Sequence, residues 1–458
     1  MFFRQVLHED LACASYVLAD GALAAVIDPK WEIDEYLELA DEHDFRIAHV
    51  LETHNHADHL SGHGRLAEAT GAVLHISPES GAEYEYEPFA DADTLELGST
   101  RIAARATPGH RPEHTSFLVE DRSRAEQPWL VLTGDSLFVG DIGRPDLALE
   151  PEAGAHGIFR STRRLLELDD ATELWPGHIG GSLCGGARMS KKPSSTIGFE
   201  RRHNELLALD EGEFVRRLTA ELEPQPPNFE RIVELNRGPL LTAATHLEPL
   251  TPERAFELIE AGATLIDGRD PREYDAAHAP GSLNVTMTSS GVGTRAAWVV
   301  DPESDVLVLA ASYTDARRLA RLLEAVGFRS LAGNVAGGIG AWRGAKLEIE
   351  TTPAIDIKGL AERLWDAEAV LLDVREDDEW RNGHVEGSIH VPYHELREEL
   401  PVQARAAGKP LAVACSAGNR SSLATSLLRR AGIENVLHVA DGGIADLAAE
   451  GVELARSD

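Results

Sequence analysis

The chain has 458 residues and a formal net charge of −34, with 43% hydrophobic and 26% charged residues. That balance is the one found in globular domains and excludes bulk disorder. The acidic excess excludes nucleic acid or an anionic membrane as partner, because phosphate contacts need clustered cations. At roughly 150 residues per domain, the length predicts about three domains.

Glu9 and Asp10 fall where a signal peptide would need an apolar core, so export is not expected. No stretch approaches the roughly 20 apolar residues of a membrane span. Cys13, Cys184 and Cys415 are a sparse, odd set and no disulfide framework. They predict a reducing, cytoplasmic setting, where a cysteine is either reactive or an inert core residue.

Short apolar runs such as 24–27 and 48–51 end in polar, His-rich or Pro-containing loops, as buried strands do. Residues 33–42 have helical spacing. Cys13 lies in the apolar run 11–17 and reads as a packed strand residue. The Pro-rich segment 224–227 punctuates the chain, and Asn236-Arg237-Gly238-Pro239 reads as a linker.

The segment Thr53-His54-Asn55-His56-Ala57-Asp58-His59 follows a predicted strand. His110, Asp135 and His178 each follow a later apolar or Gly/Pro-marked strand end, where loops place side chains on a rigid scaffold. Imidazole and carboxylate in this pattern predict a borderline metal such as zinc or iron.

This constellation resembles the metallo-β-lactamase superfamily, whose HxHxDH motif is matched by His54, His56, Asp58 and His59. The resemblance implies an αββα sandwich with the site at one edge. Most members are binuclear zinc hydrolases. One branch, the persulfide dioxygenases, holds one Fe(II) by two His and one Asp, here His54, His110 and Asp135. His56, Asp58, His59 and His178 then surround that centre or hold a second metal. The residue set itself is compatible with both. The loops 137–147 and 180–185 resemble the dioxygenase branch.

Cys184 sits six residues after His178 between glycines, which predicts an exposed thiol near the metal. Arg188, Lys191, Lys192, Arg201 and Arg202 make a basic cluster in an acidic chain, suited to an anionic thiol carrier. Cys184, Arg144, Arg188 and Arg201 are the candidate substrate-binding or sulfur-relay residues.

The remainder contains a repeat. Leu265 to Val285 and Leu371 to Val391 are identical at eight of 21 aligned positions. Each copy continues with a short apolar strand (306–309 and 411–414), a loop, an amphipathic helix and a glycine. Strand–helix alternation predicts a small parallel α/β domain, present twice.

Cys415 opens the loop Cys415-Ser416-Ala417-Gly418-Asn419-Arg420, ahead of a helix predicted to start near Ser421. The helix dipole, the loop N–H groups and Arg420 favour a thiolate nucleophile and would cradle an anionic persulfide. The loop, with Asp373-Val374-Arg375 and the Gly383, His384, Gly387, Ser388 pattern, resembles the rhodanese-type sulfurtransferases. Only four residues separate Cys415 from Arg420, one fewer than in Cys-x5-Arg phosphatases. In the first repeat Ala310 replaces the cysteine and Asp315 the arginine, so that copy is expected to be silent.

The predicted architecture is α/β: a metallo-β-lactamase-fold persulfide dioxygenase domain (1–235), an inactive rhodanese homology domain (246–350) and an active rhodanese domain (352–458). The expected partners are a thiol persulfide, O2 and sulfite, with one Fe(II) per chain and thiosulfate as product, in a homo-oligomer engaged in sulfide detoxification. Glutathione, coenzyme A and bacillithiol remain open as the thiol carrier. The competing reading is a glyoxalase II-like zinc thioester hydrolase fused to a sulfurtransferase. A third is a sulfur carrier that persulfidates Cys415 without consuming O2.

Overall fold

Strand β2 (Cys13–Asp20) is buried along nearly its whole length, so both of its faces must be covered. Its side chains alternate between two cores. Ala14, Tyr16 and Leu18 enter one, and Val17 and Ala19 the other. The first core lies between two six-stranded sheets, and the second lies under helices. Strands β9 (Thr115–Asp121) and β10 (Leu130–Gly134) repeat the pattern: Phe117, Val119, Leu130 and Leu132 share the inter-sheet core, while Leu118 and Val131 face outward.

This computed structural model describes residues 1–186, 188–220, 222–397 and 408–456. The first sheet runs in chain order from β1 (Phe2–His8) through β2, β3 (Leu23–Ile27), β4 (Arg46–Leu51) and β5 (Val73–Ile76) to β6 (Glu87–Pro88). The second has the order β12-β11-β10-β9-β8-β7, where β7 is Thr94–Leu97, β8 Thr100–Ala106, β11 Glu173–Pro176 and β12 Ser195–Thr196. Helices α1 (Asp34–Glu42) and α2 (His63–Thr70) cover the first sheet through Tyr36, Leu39 and Leu66. Helices α3 (Pro151–Leu165) and α5 (Glu211–Ala220) cover the second through Ala155, Ile158, Leu165, Phe214 and Val215. Between them lies α4 (Ile197–His203). The result is the expected αββα sandwich. Strands β3 and β4 run parallel, as do β10 and β11. Their C-terminal ends deliver Asp28, the 52–59 loop, Asp135 and His178.

This first compact unit comprises Met1–Ala244 with Ala325–Gly327. Helix α6 (Phe229–Arg237) passes through the expected linker. Its Asn236 is structural: the amide donates to the His56 and His59 carbonyls at 2.9 and 2.8 Å and accepts from Ser61 N–H at 2.9 Å. Asn236→Ala leaves those three buried backbone groups unpaired. It is expected to cost about 3 kcal/mol of stability, measured by urea unfolding.

The second compact unit comprises Thr245–Glu324 and Phe328–Asp458, and it contains both repeats; residues 457 and 458 lie outside the described residues. The first repeat builds a parallel sheet of order β13-β17-β16-β14-β15 from Pro249–Leu250 (β13), Thr264–Asp267 (β14), Leu283–Asn284 (β15), Val306–Leu309 (β16) and Leu331–Val335 (β17). The second builds the equivalent order β18-β23-β22-β19-β21 from Ala354–Asp356 (β18), Val370–Asp373 (β19), Ile389–His390 (β21), Leu411–Ala414 (β22) and Val436–Asp441 (β23). His384–Val385 is the short β20.

The residues common to both copies are scaffold. Arg269 forks onto Asp267 and the Ala277 carbonyl, and Arg375 onto Asp373 and the Gly383 carbonyl. His278 stacks on Tyr274 and His384 on Trp380, with ring centroids 4.0 and 3.6 Å apart. Among the described residues, no helix is long and apolar enough to cross a membrane.

Candidate metal centre and sulfur-transfer loop

His54, His110 and Asp135 come together, with one ligand atom of each within 4.8 Å of the others. Each histidine is held by a partner that sets its tautomer. Thr53 Oγ1 donates to Asp28 at 2.9 Å and so accepts from His54 Nδ1 at 2.8 Å, leaving the Nε2 lone pair free. The Arg144 carbonyl can only accept, so the 2.9 Å contact places a hydrogen on His110 Nδ1. His110 Nε2 then faces Asp135 Oδ2 at 3.4 Å, and His54 Nε2 faces it at 3.9 Å. Burial holds both histidines below the usual range, in the neutral form that ligates.

Two fully buried acceptors, His110 Nε2 and Asp135 Oδ2, thus face each other with no donor for either. Such a pair is costly without a cation. The donor set fits a divalent metal with open positions.

Asp135 Oδ1 accepts from His178 Nδ1 at 2.8 Å, and its N–H donates to His114 Nε2 at 3.0 Å. Burial raises the Asp135 carboxyl, but His178 and His110 outweigh it and lower it to about 2. Burial opposes charge on His178 as well, yet Asp135, Cys13 and Asp58 raise it well above the usual value.

Asp58, His59 and His178 form a second group that Cys13 completes. Its sulfur lies 3.1 Å from Asp58 Oδ2, 3.5 Å from His59 Nδ1 and 3.2 Å from His178 Nε2. Cys13 is the packed strand residue expected, and it also opens β2 at the edge where the site lies. His56 joins neither group. Its Nε2 turns to Asp28 at 3.3 Å and Glu52 at 3.2 Å.

In the second repeat, Cys415 directly follows β22 and is buried. Helix α7 (Asn419–Arg430) starts two residues earlier than expected. Gly418 makes this turn at φ +85°, where a Cβ would stand 2.7 Å from the Ala440 carbonyl oxygen. Its N–H donates to Cys415 Sγ at 3.2 Å, and Ser421 Oγ lies 3.5 Å from that sulfur. Arg420 stands at the loop, bonded to Ser416 Oγ and to Glu379, both at 2.8 Å. In the first repeat Ala310 holds the cysteine's position. Ser312 and Asp315 pair with each other at the start of a helix, Tyr313–Glu324.

Residues 8–178 match the family model of the metallo-β-lactamase superfamily, and residues 251–345 and 356–450 each match that of the rhodanese-like domain. The chain thus carries a metallo-β-lactamase domain followed by two rhodanese-like domains. The mitochondrial persulfide dioxygenase ETHE1 of Bos taurus is 28% identical over 52% of this chain and 87% of that protein. A hydroxyacylglutathione hydrolase of Anaeromyxobacter dehalogenans is 34% identical over 36% of this chain and 60% of that protein. A metallo-β-lactamase structure from Staphylococcus aureus, 28% identical, covers 73% of this chain and 98% of its own, with a TM-score of 0.66.

Around the metallo-β-lactamase centre the structure corrects other expectations. Cys184 is buried against Phe138 and Met189, and burial pushes its thiol well above the usual value. Its glycine neighbours serve packing: a Cβ on Gly185 would stand 2.1 Å from Met189 Sδ. The thiol nevertheless lies in a group with Asp135 and His178. The Arg144 guanidinium is bound to Asp146 and to the Leu183 and Glu223 carbonyls, so it braces the loop. Arg201 is tied to Asp170 and the Leu168 carbonyl, and Arg202 to Asp170. Of the three candidate arginines, Arg144 is buried, whereas Arg188 and Arg201 are exposed, Arg201 with its guanidinium paired to Asp170.

Sequence reasoning missed Cys13, Asp28, Glu52 and His114. His114, four residues after His110, carried a signal in its spacing.

Proposed function

We propose that this chain is a persulfide dioxygenase with one Fe(II) at His54, His110 and Asp135, coupled to sulfur transfer at Cys415. The observation that carries the first half is the position of His56. A three-histidine zinc site would need its Nε2 aimed into the His54–His110–Asp135 group; the ring lies 4.3 Å from that of His54, but its Nε2 faces Asp28 and Glu52. Its commitment to Asp28 and Glu52 leaves two histidines and one carboxylate, the set used by non-haem Fe(II) oxygenases. The kinship with a persulfide dioxygenase agrees with this reading.

Iron held there would supply the redox chemistry that O2 requires, and open coordination positions for both reactants. The protein supplies the rest. Thr53 and the Arg144 carbonyl orient the imidazoles. His178, between Asp135 and Asp58, balances the carboxylates and holds a proton on Nδ1 beside the ligand oxygen. Persulfide, O2 and water would give free thiol and sulfite.

In the second rhodanese-like domain the Cys415 thiolate would take the outer sulfur of a persulfide and release the thiol. Sulfite would then attack that sulfur, leaving as thiosulfate and regenerating the thiolate. The Gly418 N–H and the α7 N-terminus stabilise the anion. The first domain, with Ala310 and Asp315, performs no such step. On this reading residues 1–235, 246–350 and 352–458 are the dioxygenase, silent and active domains.

The test is O2 uptake by the Fe-loaded full chain given glutathione persulfide. Uptake with sulfite formation is expected. Its absence, with thioester hydrolysis by the zinc-loaded protein instead, would establish the hydrolase.

A further inference from the structure

The two rhodanese-like domains diverge most informatively where they touch. Asp275 in the helix Pro271–Ala276 stands where the second copy has Arg381, and Asn284 stands where it has His390. Both reach residues around Cys415. Asp275 Oδ2 lies 2.7 Å from His438 Nδ1. A carboxylate only accepts, so Nδ1 carries the hydrogen. His438 Nε2 is then the ring's acceptor: it can accept from Ser421 Oγ at 3.2 Å, and it lies 3.0 Å from the Gly418 carbonyl. Gly418 and Ser421 both lie within hydrogen-bonding distance of the Cys415 sulfur.

A second set of contacts holds the same helix. Asn284 Oδ1 accepts from Ser422 Oγ at 2.5 Å, and Asn284 N–H donates to Ser426 Oγ at 3.1 Å. Asp275, His438, Ser421 and Ser422 are all nearly or wholly buried. Water therefore does not substitute for these bonds, and the low dielectric strengthens them.

We propose that the silent domain positions the nucleophile of the active one: Asp275, acting through His438, sets the Gly418–Ser421 turn that cradles Cys415, and Asn284 anchors the first turn of α7. The inference rests on Cys415 being the sulfur carrier. It explains why a copy without a thiol keeps a buried carboxylate aimed at its neighbour. Asp275 is a positioning residue, because it touches neither sulfur nor substrate.

The experiment compares Asp275→Ala, Asp275→Asn, His438→Gln and the Asp275→Ala/His438→Gln double variant in the full-length chain. The readouts are thiosulfate formation from sulfite and glutathione persulfide, resolved into kcat and KM, and melting temperature. Asp275→Ala is expected to lower kcat about tenfold with KM for sulfite within twofold, as loss of orientation does. Asp275→Asn, whose amide oxygen still accepts from Nδ1–H, is expected to restore most of kcat. The double variant is expected to be no slower than His438→Gln, because the carboxylate acts only through the ring.

A kcat within twofold of wild type for Asp275→Ala, or multiplicative losses in the double variant, would overturn the inference. Should Asp275→Ala not fold, Asp275→Asn against His438→Gln decides: equal losses of kcat overturn it, and loss in His438→Gln alone supports it. A wild-type chain that forms no thiosulfate would sink the sulfur-carrier reading itself. A wild type that works and an Asp275→Ala variant that works equally well would sink only this inference.

Discussion

Asp135→Ala is expected to lose its iron and its O2 uptake together, each by more than about 100-fold. Removing an outer partner of a metal ligand already costs about 10–100-fold in affinity, and Asp135 is placed as a ligand. Its Oδ2 faces His110 and His54, while its Oδ1 holds His178. Without it no carboxylate remains in the three-residue group. Asp135→Asn separates metal binding from stability. The amide oxygen still accepts from His178 Nδ1–H, and the amide nitrogen donates to His110 Nε2, a buried acceptor that otherwise lacks a donor. Asp135→Asn is therefore expected to be at least as stable as the metal-free wild type, yet to bind no iron. Iron loading should raise the melting temperature of the wild type only, since a ligand at 1,000 times its Kd adds about 4 kcal/mol. Metal analysis after gel filtration, paired with thermal melts, checks both points. One equivalent of iron in either variant would remove Asp135 from the ligand set.

Cys415→Ser is expected to lower thiosulfate formation by more than about 1,000-fold, because a serine hydroxyl cannot carry a sulfane sulfur. The fold should tolerate it: the side chain is nearly isosteric, and the Gly418 N–H can still be accepted. Uptake of O2, proposed for the metallo-β-lactamase half, is expected to persist, with sulfite accumulating. Mass spectrometry of the persulfide-treated wild type should show one added sulfur on the peptide carrying Cys415. Thiosulfate at an undiminished rate from Cys415→Ser would move the sulfur carrier elsewhere.

Those two sites were legible because their chemistry sits in short local signatures. His54, His56, Asp58 and His59 lie within one loop, and Cys415 to Arg420 is one turn before one helix. Both loops follow buried strands whose apolar runs mark where they end. The long-range partners were not legible. Cys13 reads as a strand residue because its neighbours are apolar; only the folded sheet edge brings it against His178, 165 positions away. Asp275 and His438 are separated by 163 positions and belong to different repeats. Asp28 gains its role from the left-handed turn it makes after β3, at φ 51°. The glycines around Cys184 suggested exposure, but they allow Met189 to pack close. The basic cluster dissolved for a related reason, since most of its arginines bond to nearby acids and carbonyls.

The repeat illustrates the same division. Its identical residues, the Asp–Arg fork and the stacked histidine, hold each sheet to the short helix that follows the Asp–Arg strand. The proposed function lies where the copies differ: Cys415 against Ala310, Arg420 against Asp315, and Asp275 against Arg381.

The most direct measurement follows O2 and sulfur products from the Fe-loaded full-length chain supplied with glutathione persulfide. One O2 consumed for each sulfite released, with thiosulfate appearing only while Cys415 is intact, is the predicted result. No O2 uptake by protein carrying one iron per chain would contradict the account.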